Sequence, residues 1–474
     1  MEDSIRNELF EWLRYESVGA DPARLRDCVA CASWAKKWLS KIGFDVELLY
    51  PKVEPGAALP PPVLLAERKG DEGEASVLIY GHYDVQPADP LGEWKTPPFE
   101  PTVVGDRIFC RGANDDKGQT FALLCGLRDY LADGIVRHTV RLVLGEQAKL
   151  ETDALTAAEV HPKRTIRILL DGQEESGSAA LTALAPEIRR RIAADVLLVC
   201  DTSAAPALRP AIVAGLRGVA HFTLRLAGPN RDLHSGEYGG IAPNPAQGLA
   251  ELLASLHHPD GSIAVAGFRE GIEPPTHDEL VAAEASAPQE KAVEEDIGCE
   301  PVGGQMGKTI VQRNSFEPTI EVNGIHSGYG GPGSKTVIPS EAIAKISMRL
   351  VPGQSPSAAF EAVRTHLDDR CPKGMKLSFE EVHRGAPAFR LPLSSPLFRL
   401  ASDVLSEMDP RGAVFLWDGA SIPVLSVIRE ASCAAPLIVG WGQAEDRIHS
   451  PNESYSFAQF DRAREWARRI LSAL

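Results

Sequence analysis

Cysteine is scarce in this sequence, with eight residues in a chain of 474. So sparse a set excludes the disulfide scaffold of a small secreted domain. Four of the thiols lie in apolar stretches, where a cysteine packs as a small hydrophobic residue; these are Cys110, Cys125, Cys200 and Cys433. Cys28 and Cys31 have the spacing of a redox or zinc motif, but they form a single pair inside a helical pattern. We therefore expect reduced thiols that serve packing.

Long apolar runs are absent as well. No segment approaches the roughly 18 apolar residues of a membrane span, and the first residues lack the apolar core of a signal peptide. Basic residues are outnumbered, 49 against 65 acidic ones, so the formal net charge is −16. Such a charge repels nucleic acid and favours a cation as a partner. We expect a cytoplasmic protein with neither a membrane nor a nucleic acid as its partner.

The chain is long enough for more than one domain. Its 474 residues exceed the roughly 250–300 that one hydrophobic core usually serves, so at least two domains are expected. Short continuous apolar runs at 77–80, 165–170 and 195–200 indicate strands that are covered on both faces. The fold class is therefore α/β, with a mixed, largely parallel sheet flanked by helices.

The character of the sequence changes between residues 208 and 385, which indicates an inserted α+β domain. The strands expected there are 219–226 and 341–350, and the expected helices are 245–256 and 356–369. Residues 260–318 have little periodicity, so we expect a long connection rather than a module.

Acidic residues and histidines cluster where the predicted strands end. The clusters are His82 with Asp84, Asp115 with Asp116, Glu174 with Glu175, Asp201, and His449. Ligands of such sheets bind beyond the carboxyl ends of the strands, so these side chains are expected to converge. Two histidines and three carboxylates fit two zinc ions that share a bridging carboxylate, and manganese or cobalt would suit the same ligands. Each cluster alone has a plainer interpretation, such as a surface histidine or a helix N-cap.

Several strings in the sequence carry a family resemblance. They are Tyr80–Pro87, Trp94 with Pro98–Pro101, Arg111–Gly118, Gly172–Ser178, Asp232–Gly236 with Tyr238–Gly240, Gly333–Pro339, Arg349–Pro352, Ser421–Pro423 and His449–Glu453. In this order, and over almost the full length, they resemble the M20 metallopeptidases, most closely the branch of cytosolic nonspecific dipeptidases and carnosinase-like enzymes.

The resemblance implies roles for the clustered residues. The implied metal ligands are His82, Asp115, Glu175, Asp201 and His449, with Asp115 bridging two ions. Glu174 would be the general base and Asp84 would orient His82. The resemblance also implies a catalytic domain (1–207 and 386–474) and an inserted lid domain (208–385) that forms a homodimer.

Four residues are implied to contact substrate, three of them in the inserted domain and Ser421 in the catalytic domain. His234 would reach into the partner subunit's active site and bind the substrate carbonyl oxygen, and Arg349 would bind the substrate's C-terminal carboxylate. Thr336 and Ser421 match smaller substrate contacts. The plainer alternatives are a loop histidine that caps a turn, for His234, and a surface residue at a strand edge, for Arg349.

These residues together predict a dinuclear-metal hydrolase that cleaves the amide bond of dipeptides or short peptides with a free C-terminal carboxylate. A metal-bridging water, activated by Glu174, would attack the amide. An N-acyl amino-acid deacylase or carbamoylase would use the same centre on another acyl group. A non-catalytic binding protein on the same fold is the remaining alternative.

Two departures from the family pattern concern substrate preference and surface structure. Where relatives commonly have Arg-Glu-Gly-Gly, this chain has Trp417-Asp418-Gly419-Ala420, so we expect a more aromatic and crowded wall beside the substrate. A near repeat of residues 138–147 at 164–173 indicates a local insertion at 145–163. Neither departure falls on a predicted metal ligand.

Overall fold

The computed structural model describes residues 1–71, 74–144, 164–419 and 421–474, apart from the side chains of 135–144. The insertion expected at 145–163 lies outside the described residues. The chain divides into two compact units. The first contains Met1–Val213, Leu391–Phe415 and Val427–Leu474, and the second contains Ala214–Arg390 and Leu416–Ser426.

Residues 416–426 belong to the second unit, whereas the domain division expected from the sequence places them in the first. Trp417 packs its ring on Phe316 with the centroids 5.5 Å apart, and Ser315 Oγ donates a hydrogen bond of 2.6 Å to the Trp417 carbonyl. The segment therefore supplies part of the interior of the second unit.

The helices and strands up to the second unit are α1 (Asp3–Leu13), α2 (Leu25–Lys41), β1 (Asp45–Leu49), β2 (Val63–Arg68), β3 (Val77–His82), β4 (Thr102–Val104), β5 (Arg107–Phe109), α3 (Lys117–Leu144), β6 (Ile166–Asp171), α4 (Ala179–Ile192) and β7 (Val196–Val199). Strand β8 (Ala211–Leu216) carries the chain into the second unit.

The second unit continues with β9 (Gly218–Ala227), β10 (Leu233–His234), α5 (Ser235–Tyr238), α6 (Pro245–Ala254), α7 (His277–Ala285), α8 (Glu290–Ile297), β11 (Thr319–Ser327), β12 (Val337–Ile338), β13 (Glu341–Leu350), α9 (Pro356–Asp368), β14 (Lys376–Ala386) and β15 (Phe389–Arg390). The remaining elements are α10 (Pro396–Met408), β16 (Val414–Asp418), α11 (Pro423–Ser432), β17 (Ala435–Ile438), β18 (Ser454–Ser456) and α12 (Phe457–Ala473).

The main sheet of the first unit has the strand order β1-β2-β6-β3-β7-β17. Strands β6, β3, β7 and β17 are parallel, whereas β1 and β2 are antiparallel at one edge. The apolar runs within β3 and β7 are buried throughout, as expected of strands that helices cover on both faces. The predicted α/β class with a mixed, largely parallel sheet is confirmed. Because β6, β3 and β7 are neighbours, the residues after their carboxyl ends share one edge of the sheet.

A small sheet, β18-β5-β4, joins two distant parts of the first unit. Ser454 pairs with Phe109 in an antiparallel register. The chain after β5 leads to Asp115, and the chain before β18 contains His449. Both loops therefore leave the same end of this strand pair.

The cysteines largely follow the expectation of structural thiols. Cys28 and Cys31 lie on the buried face of α2, and Cys110, Cys125 and Cys200 are buried as well. The expectation was wrong for Cys433, which is exposed. It follows the last residue of α11 with a φ of 57°, so it belongs to the turn that ends the helix rather than to a packed face.

The second unit is built on an antiparallel sheet of order β11-β13-β9-β14. Strand β13 alternates, and its residues Ala344, Ile346 and Met348 share one apolar core with Leu252 of α6 and Val363 of α9. The strands and helices predicted here from periodicity are present. The prediction of a plain connection over 260–318 was incomplete, because α7 and α8 are each too short to show a clear period. Among the described residues, no helix has both the length and the apolarity that a membrane span requires.

Candidate metal centre

His82 stands at the carboxyl end of β3 with its ring almost fully buried. Its Nδ1 atom lies 3.0 Å from the backbone oxygen of Asp84 and 3.3 Å from Asp84 Oδ1. Its Nε2 atom lies 3.1 Å from Asp115 Oδ1 and 3.8 Å from Asp201 Oδ2. Oxygen acceptors around Nδ1 favour the tautomer with the proton on that nitrogen. The lone pair of Nε2 then points toward the two carboxylates, where a cation would bind.

Asp115 faces two imidazoles. While Oδ1 contacts His82, Oδ2 lies 3.0 Å from Nε2 of His449. The His449 Nε2 atom is also 3.2 Å from Glu175 Oε2. A carboxylate that directs one oxygen to each of two histidines has the geometry required of a ligand shared by two ions.

Asp84 organises the residues behind this arrangement. It is fully buried, and its two carboxylate oxygens accept hydrogen bonds from the backbone N–H groups of Glu174 (3.1 Å) and Glu175 (3.2 Å). The same side chain contacts His82, so one carboxylate fixes the end of β3 and the turn after β6. Gln86 Nε2 then donates to Glu175 Oε2 at 2.8 Å and orients that carboxylate.

The described residues contain two groups whose donor atoms all lie within 4.8 Å of one another. They are His82 with Asp116 and Asp201, and Asp115 with Glu175 and His449. All five predicted metal ligands are therefore brought together, and Asp116 joins them. Asp116 was not predicted as a ligand, because the sequence shows an Asp-Asp pair but not which way each side chain turns.

Asp116 has one oxygen engaged and one without a partner. Its Oδ2 atom accepts hydrogen bonds from Thr120 Oγ1 (2.6 Å) and from the His82 backbone N–H (3.2 Å). Its Oδ1 atom is buried and has no hydrogen-bond partner among the described residues. A buried unpaired carboxylate oxygen is costly unless it meets a cation or a proton.

The electrostatics of the cluster show a shortage of positive charge. Burial raises the pKa of Asp116 to about 8 and that of Asp201 well above its usual range. Hydrogen bonds to Asp115 and Glu175 raise the pKa of His449 to about 10. Burial opposes the same change at His82, but its carboxylate neighbours still raise its pKa well above the ordinary value. These shifts arise because several carboxylates are buried together, and the nitrogen and oxygen donors of the cluster fit two divalent ions.

The predicted base, Glu174, lies beside the two groups without belonging to either. It is half-buried in a short 3₁₀ turn, next to Glu175. Burial raises the pKa of its carboxyl to about 7, and Glu175 and Asp84 add to this change while His82 opposes it. A carboxyl with a pKa near neutrality is able to take up and release a proton at physiological pH.

The four predicted substrate contacts lie within the second unit and form two pairs. Arg349 Nη1 donates to Ser421 Oγ at 3.0 Å, and β13, which carries Arg349, is an inner strand rather than a sheet edge. Ser235 N donates to the Thr336 carbonyl at 3.1 Å, which holds Thr336 beside His234.

His234 does cap a turn, as its plainer interpretation predicts. Its Nδ1 atom accepts a hydrogen bond of 3.0 Å from the Gly236 N–H. The neutral ring therefore carries its proton on Nε2, which is a donor suited to a carbonyl oxygen. The capping role and a role in binding substrate are compatible.

The aromatic wall expected beside the substrate stays a prediction, and Trp417 offers little exposed surface for it. The residue is only 7% exposed, whereas its neighbour Asp418 is exposed. Ala420 lies outside the described residues.

Comparison with known proteins relates the chain to enzymes of one family. Residues 78–146 match the model of peptidase family M20/M25/M40, and residues 214–375 match that of the peptidase dimerisation domain. The chain is 28% identical to the human Beta-Ala-His dipeptidase over 462 residues, which are 95% of this chain and 86% of that protein. It is also 28% identical to a Cys-Gly metallodipeptidase of Schizosaccharomyces pombe over 478 residues, 97% of this chain and 93% of the relative.

Solved structures of related enzymes superimpose on nearly the whole chain. The crystal structure of human carnosine dipeptidase 1 superimposes with a TM-score of 0.73 and 26% identity, covering 99% of this chain and 96% of that one. An M20 family metallo-carboxypeptidase from Sulfolobus solfataricus superimposes with a TM-score of 0.81, covering 100% and 99%; at 24% identity it supports the fold alone.

Proposed function

Since the chain belongs to the M20 metallopeptidase family, we propose that it is a dinuclear-metal dipeptidase acting on dipeptides or short peptides with a free C-terminal carboxylate. The observation that carries the proposal is the position of Asp115, whose two oxygens face the Nε2 atoms of His82 and His449 at 3.1 and 3.0 Å. The names of the relatives, a Beta-Ala-His and a Cys-Gly dipeptidase, support a small peptide as the substrate.

The ligands divide into two sets around Asp115. His82 and Asp201, with Asp116 behind them, would hold one ion, and Glu175 with His449 the other. Zinc is the expected metal, with manganese or cobalt as alternatives. Divalent ions bound there would supply a Lewis acid for the peptide carbonyl and would lower the pKa of a bound water molecule.

Glu174 is the proposed general base. Its half-buried carboxyl, with a pKa raised by burial to about 7, accepts the proton of the attacking water and later delivers it to the leaving amine. Asp84 holds the Glu174 backbone N–H at 3.1 Å and so fixes the turn that carries the base. His82 and Glu174 are thereby positioned by the same carboxylate.

The second unit would supply substrate recognition. Arg349 offers a planar fork for the C-terminal carboxylate, and Ser421, 3.0 Å away, orients it. The Nε2–H of His234 would bind the carbonyl oxygen, with Thr336 beside it. We further propose that the region 208–385 acts as the lid, that it forms a homodimer in which His234 serves the partner's site, and that the enzyme works in the cytoplasm.

A substrate panel tests the proposal directly. The purified protein, stripped with a chelator and reloaded with zinc or manganese, is expected to cleave free dipeptides but not the same dipeptides with an amidated C-terminus. Glu174→Ala should retain both ions and lose about 10²–10⁴-fold in turnover. Cleavage of N-acyl or N-carbamoyl amino acids in place of dipeptides would identify a deacylase. Intact substrates of every class, in the presence of bound metal, would identify a binding protein.

A further inference from the structure

Glu453 is a fully buried acid four residues after His449, and it is outside the proposed ligand set. Its Oε1 atom accepts hydrogen bonds from the backbone N–H groups of Asn114 (2.9 Å) and Asp115 (3.0 Å). Its Oε2 atom accepts from the Gly112 N–H (2.9 Å) and from Arg111 Nη1 (2.8 Å). The carboxylate thus binds four donors of the loop that presents Asp115.

This hydrogen bonding excludes Glu453 as a metal ligand. A carboxylate has about four acceptor positions, and all of them are used. Its charge is balanced by Arg111, whose guanidinium lies 5.4 Å from the Trp94 ring centroid and is itself only 1% exposed. Arg111 Nη2 also donates to the Pro87 carbonyl (3.2 Å) and to the Ser450 carbonyl (3.4 Å). The ion pair therefore links the segments that follow His82, precede Asp115 and follow His449.

The loop that carries His449 requires such a link. Arg447, His449 and Asn452 all have left-handed backbone conformations, with φ between 56° and 67°. Residues other than glycine hold this conformation at a cost in free energy unless surrounding contacts determine it. Two contacts of the Asn452 side chain, with Lys95 N at 2.7 Å and the Glu93 carbonyl at 2.9 Å, fix one end of the loop. At the other end, the hydrogen bonds of Glu453 attach the loop to the backbone of the Asp115 loop.

We propose that Glu453 is a positioning residue of the metal centre, which holds Asp115 and His449 at the separation that the second ion requires. The inference rests on the proposed function, because it concerns the same site. His449 Nε2 and Asp115 Oδ2 are 3.0 Å apart, although the two residues are distant in the sequence. Their separation therefore depends on the contacts that join the two loops. Glu453 follows His449 in the chain and binds three backbone N–H groups of the Asp115 loop, while Arg111 makes the converse contact with the Ser450 carbonyl.

The test measures metal binding rather than turnover. Glu453→Gln keeps the volume but turns one acceptor oxygen into an NH₂ group that faces N–H donors, and it leaves the Arg111 charge without its counterion. We expect the affinity for the more weakly held zinc ion, measured by competition with a chromogenic chelator, to fall by about 10–100-fold. Thermal unfolding of the metal-free protein gives the accompanying loss of stability.

Asp409→Asn is the matched control. Asp409 is also a buried acid of the first unit, and it accepts hydrogen bonds from a backbone N–H and a guanidinium of Arg411, as well as from Arg462, but it contacts neither ligand loop. Asp409→Asn should lower the stability of the protein but leave its affinity for both ions at the native value. If Glu453→Gln binds them equally well, or if both variants lose the same affinity, the positioning role is refuted.

A second variant keeps the test decisive if Glu453→Gln does not fold. Arg111→Lys preserves the charge beside Glu453 but removes the guanidinium that joins the three segments. A smaller loss of zinc affinity in this variant supports the role, and native affinity refutes it. A native protein that binds fewer than two ions would instead overturn the proposed function.

Discussion

At the scale of single residues, the site depends on buried carboxylates that differ in what they contact. Asp84 and Asp171 are both fully buried near the ends of adjacent strands β3 and β6. Asp84 accepts hydrogen bonds from the backbone N–H groups of Glu174 and Glu175, and it also contacts His82. Asp171 Oδ1 accepts the Gln173 N–H of its own turn at 3.1 Å, and its Oδ2 atom has no hydrogen-bond partner among the described residues.

Asp84→Asn should therefore impair catalysis far more than Asp171→Asn. The amide that replaces the Asp84 carboxylate would direct an NH₂ group at one of three donors, so His82 and the turn of Glu174 could no longer be fixed together. We expect a loss of about 10–100-fold in kcat for Asp84→Asn. Among the described residues, the Asp171 side chain makes no hydrogen bond to His82, Glu174 or Glu175, so its replacement by an amide should cost less than about threefold in kcat. Steady-state kinetics of both variants with the same dipeptide decide between them, and equal losses would contradict the distinction.

The proposed ligands could be predicted from sequence because each follows a recognisable strand end or motif. His82, Glu175 and Asp201 come after apolar runs, and those runs become adjacent strands. The roles of Asp116 and Glu453 could not be found in the same way. Which carboxylate of an Asp-Asp pair turns to which side depends on tertiary contacts, such as the hydrogen bond from Thr120 to Asp116. Glu453 acts through backbone N–H groups that are distant in the chain, 341 positions away in the case of Gly112, and these leave no pattern in the sequence.

At the scale of elements, long periodic segments were predictable and short ones were not. The predicted strands 219–226 and 341–350 correspond to Gly218–Ala227 and Glu341–Leu350, because ten residues are enough to show alternation and burial together. Strands β4, β5 and β18 have three residues each, too few for any period. Their pairing brings the loops of Asp115 and His449 to one place, so a sheet too short to predict contributes to assembling the site.

The contact between helices α3 and α12 depends on Gly126. A Cβ atom at this position would clash with the Arg464 carbonyl oxygen and lie 2.5 Å from Ala467 Cβ. Gly126→Ala should therefore separate the two helices and lower the free energy of unfolding by about 1–3 kcal/mol, despite the better helix propensity of alanine. Gly92→Ala is the control, since its added Cβ would meet no atom within 4 Å. Chemical denaturation measures both, and a stabilised Gly126→Ala would show that the helices have room to adjust.

The end of helix α10 predicts a pH dependence of stability. Asp409 accepts hydrogen bonds from Arg411 (2.7 Å) and Arg462 (3.2 Å), and the Arg411 side chain in particular holds the pKa of Asp409 well below its usual range. A carboxyl whose pKa is lowered on folding stabilises the protein above the pKa of the unfolded chain, about 3.9, and loses this contribution as the pH falls through the lower pKa of the folded state. Because the arginines are partly exposed, we expect Asp409→Asn to cost about 1–2 kcal/mol at pH 7.

That difference should begin to shrink once the pH falls below about 4, where the unfolded chain takes up a proton at Asp409 before the native protein does. It should continue to decrease with further acidification, until the native carboxyl is protonated as well. Denaturation of both proteins across the range from pH 7 downward measures the change. A difference that stays constant with pH would mean that the charge of Asp409 is not what stabilises the helix end.

At the scale of the whole molecule, the proposed metal centre takes its ligands from two distant segments of the first unit, Met1–Val213 and Val427–Leu474. Its proposed ligands run from His82 to His449, and the second unit lies between them in the sequence. The net charge of −16 is consistent with a protein whose partners include cations. The side chains proposed to contact substrate, among them His234 and Arg349, belong to the other unit. Catalysis on this proposal therefore needs contributions from both units, and for His234 from a second copy of the chain.

A composite site of this kind predicts complementation between two inactive variants. His234→Ala retains Glu174, and Glu174→Ala retains His234, so each homodimer lacks one of the two groups in every site. After subunit exchange of an equal mixture, half of the dimers are mixed, and one site in each has both groups intact. About a quarter of the native activity should then return, as expected for a two-fold symmetric dimer. If activity stays at the level of the separate variants although size-exclusion and mass spectrometry show mixed dimers, His234 acts within its own subunit.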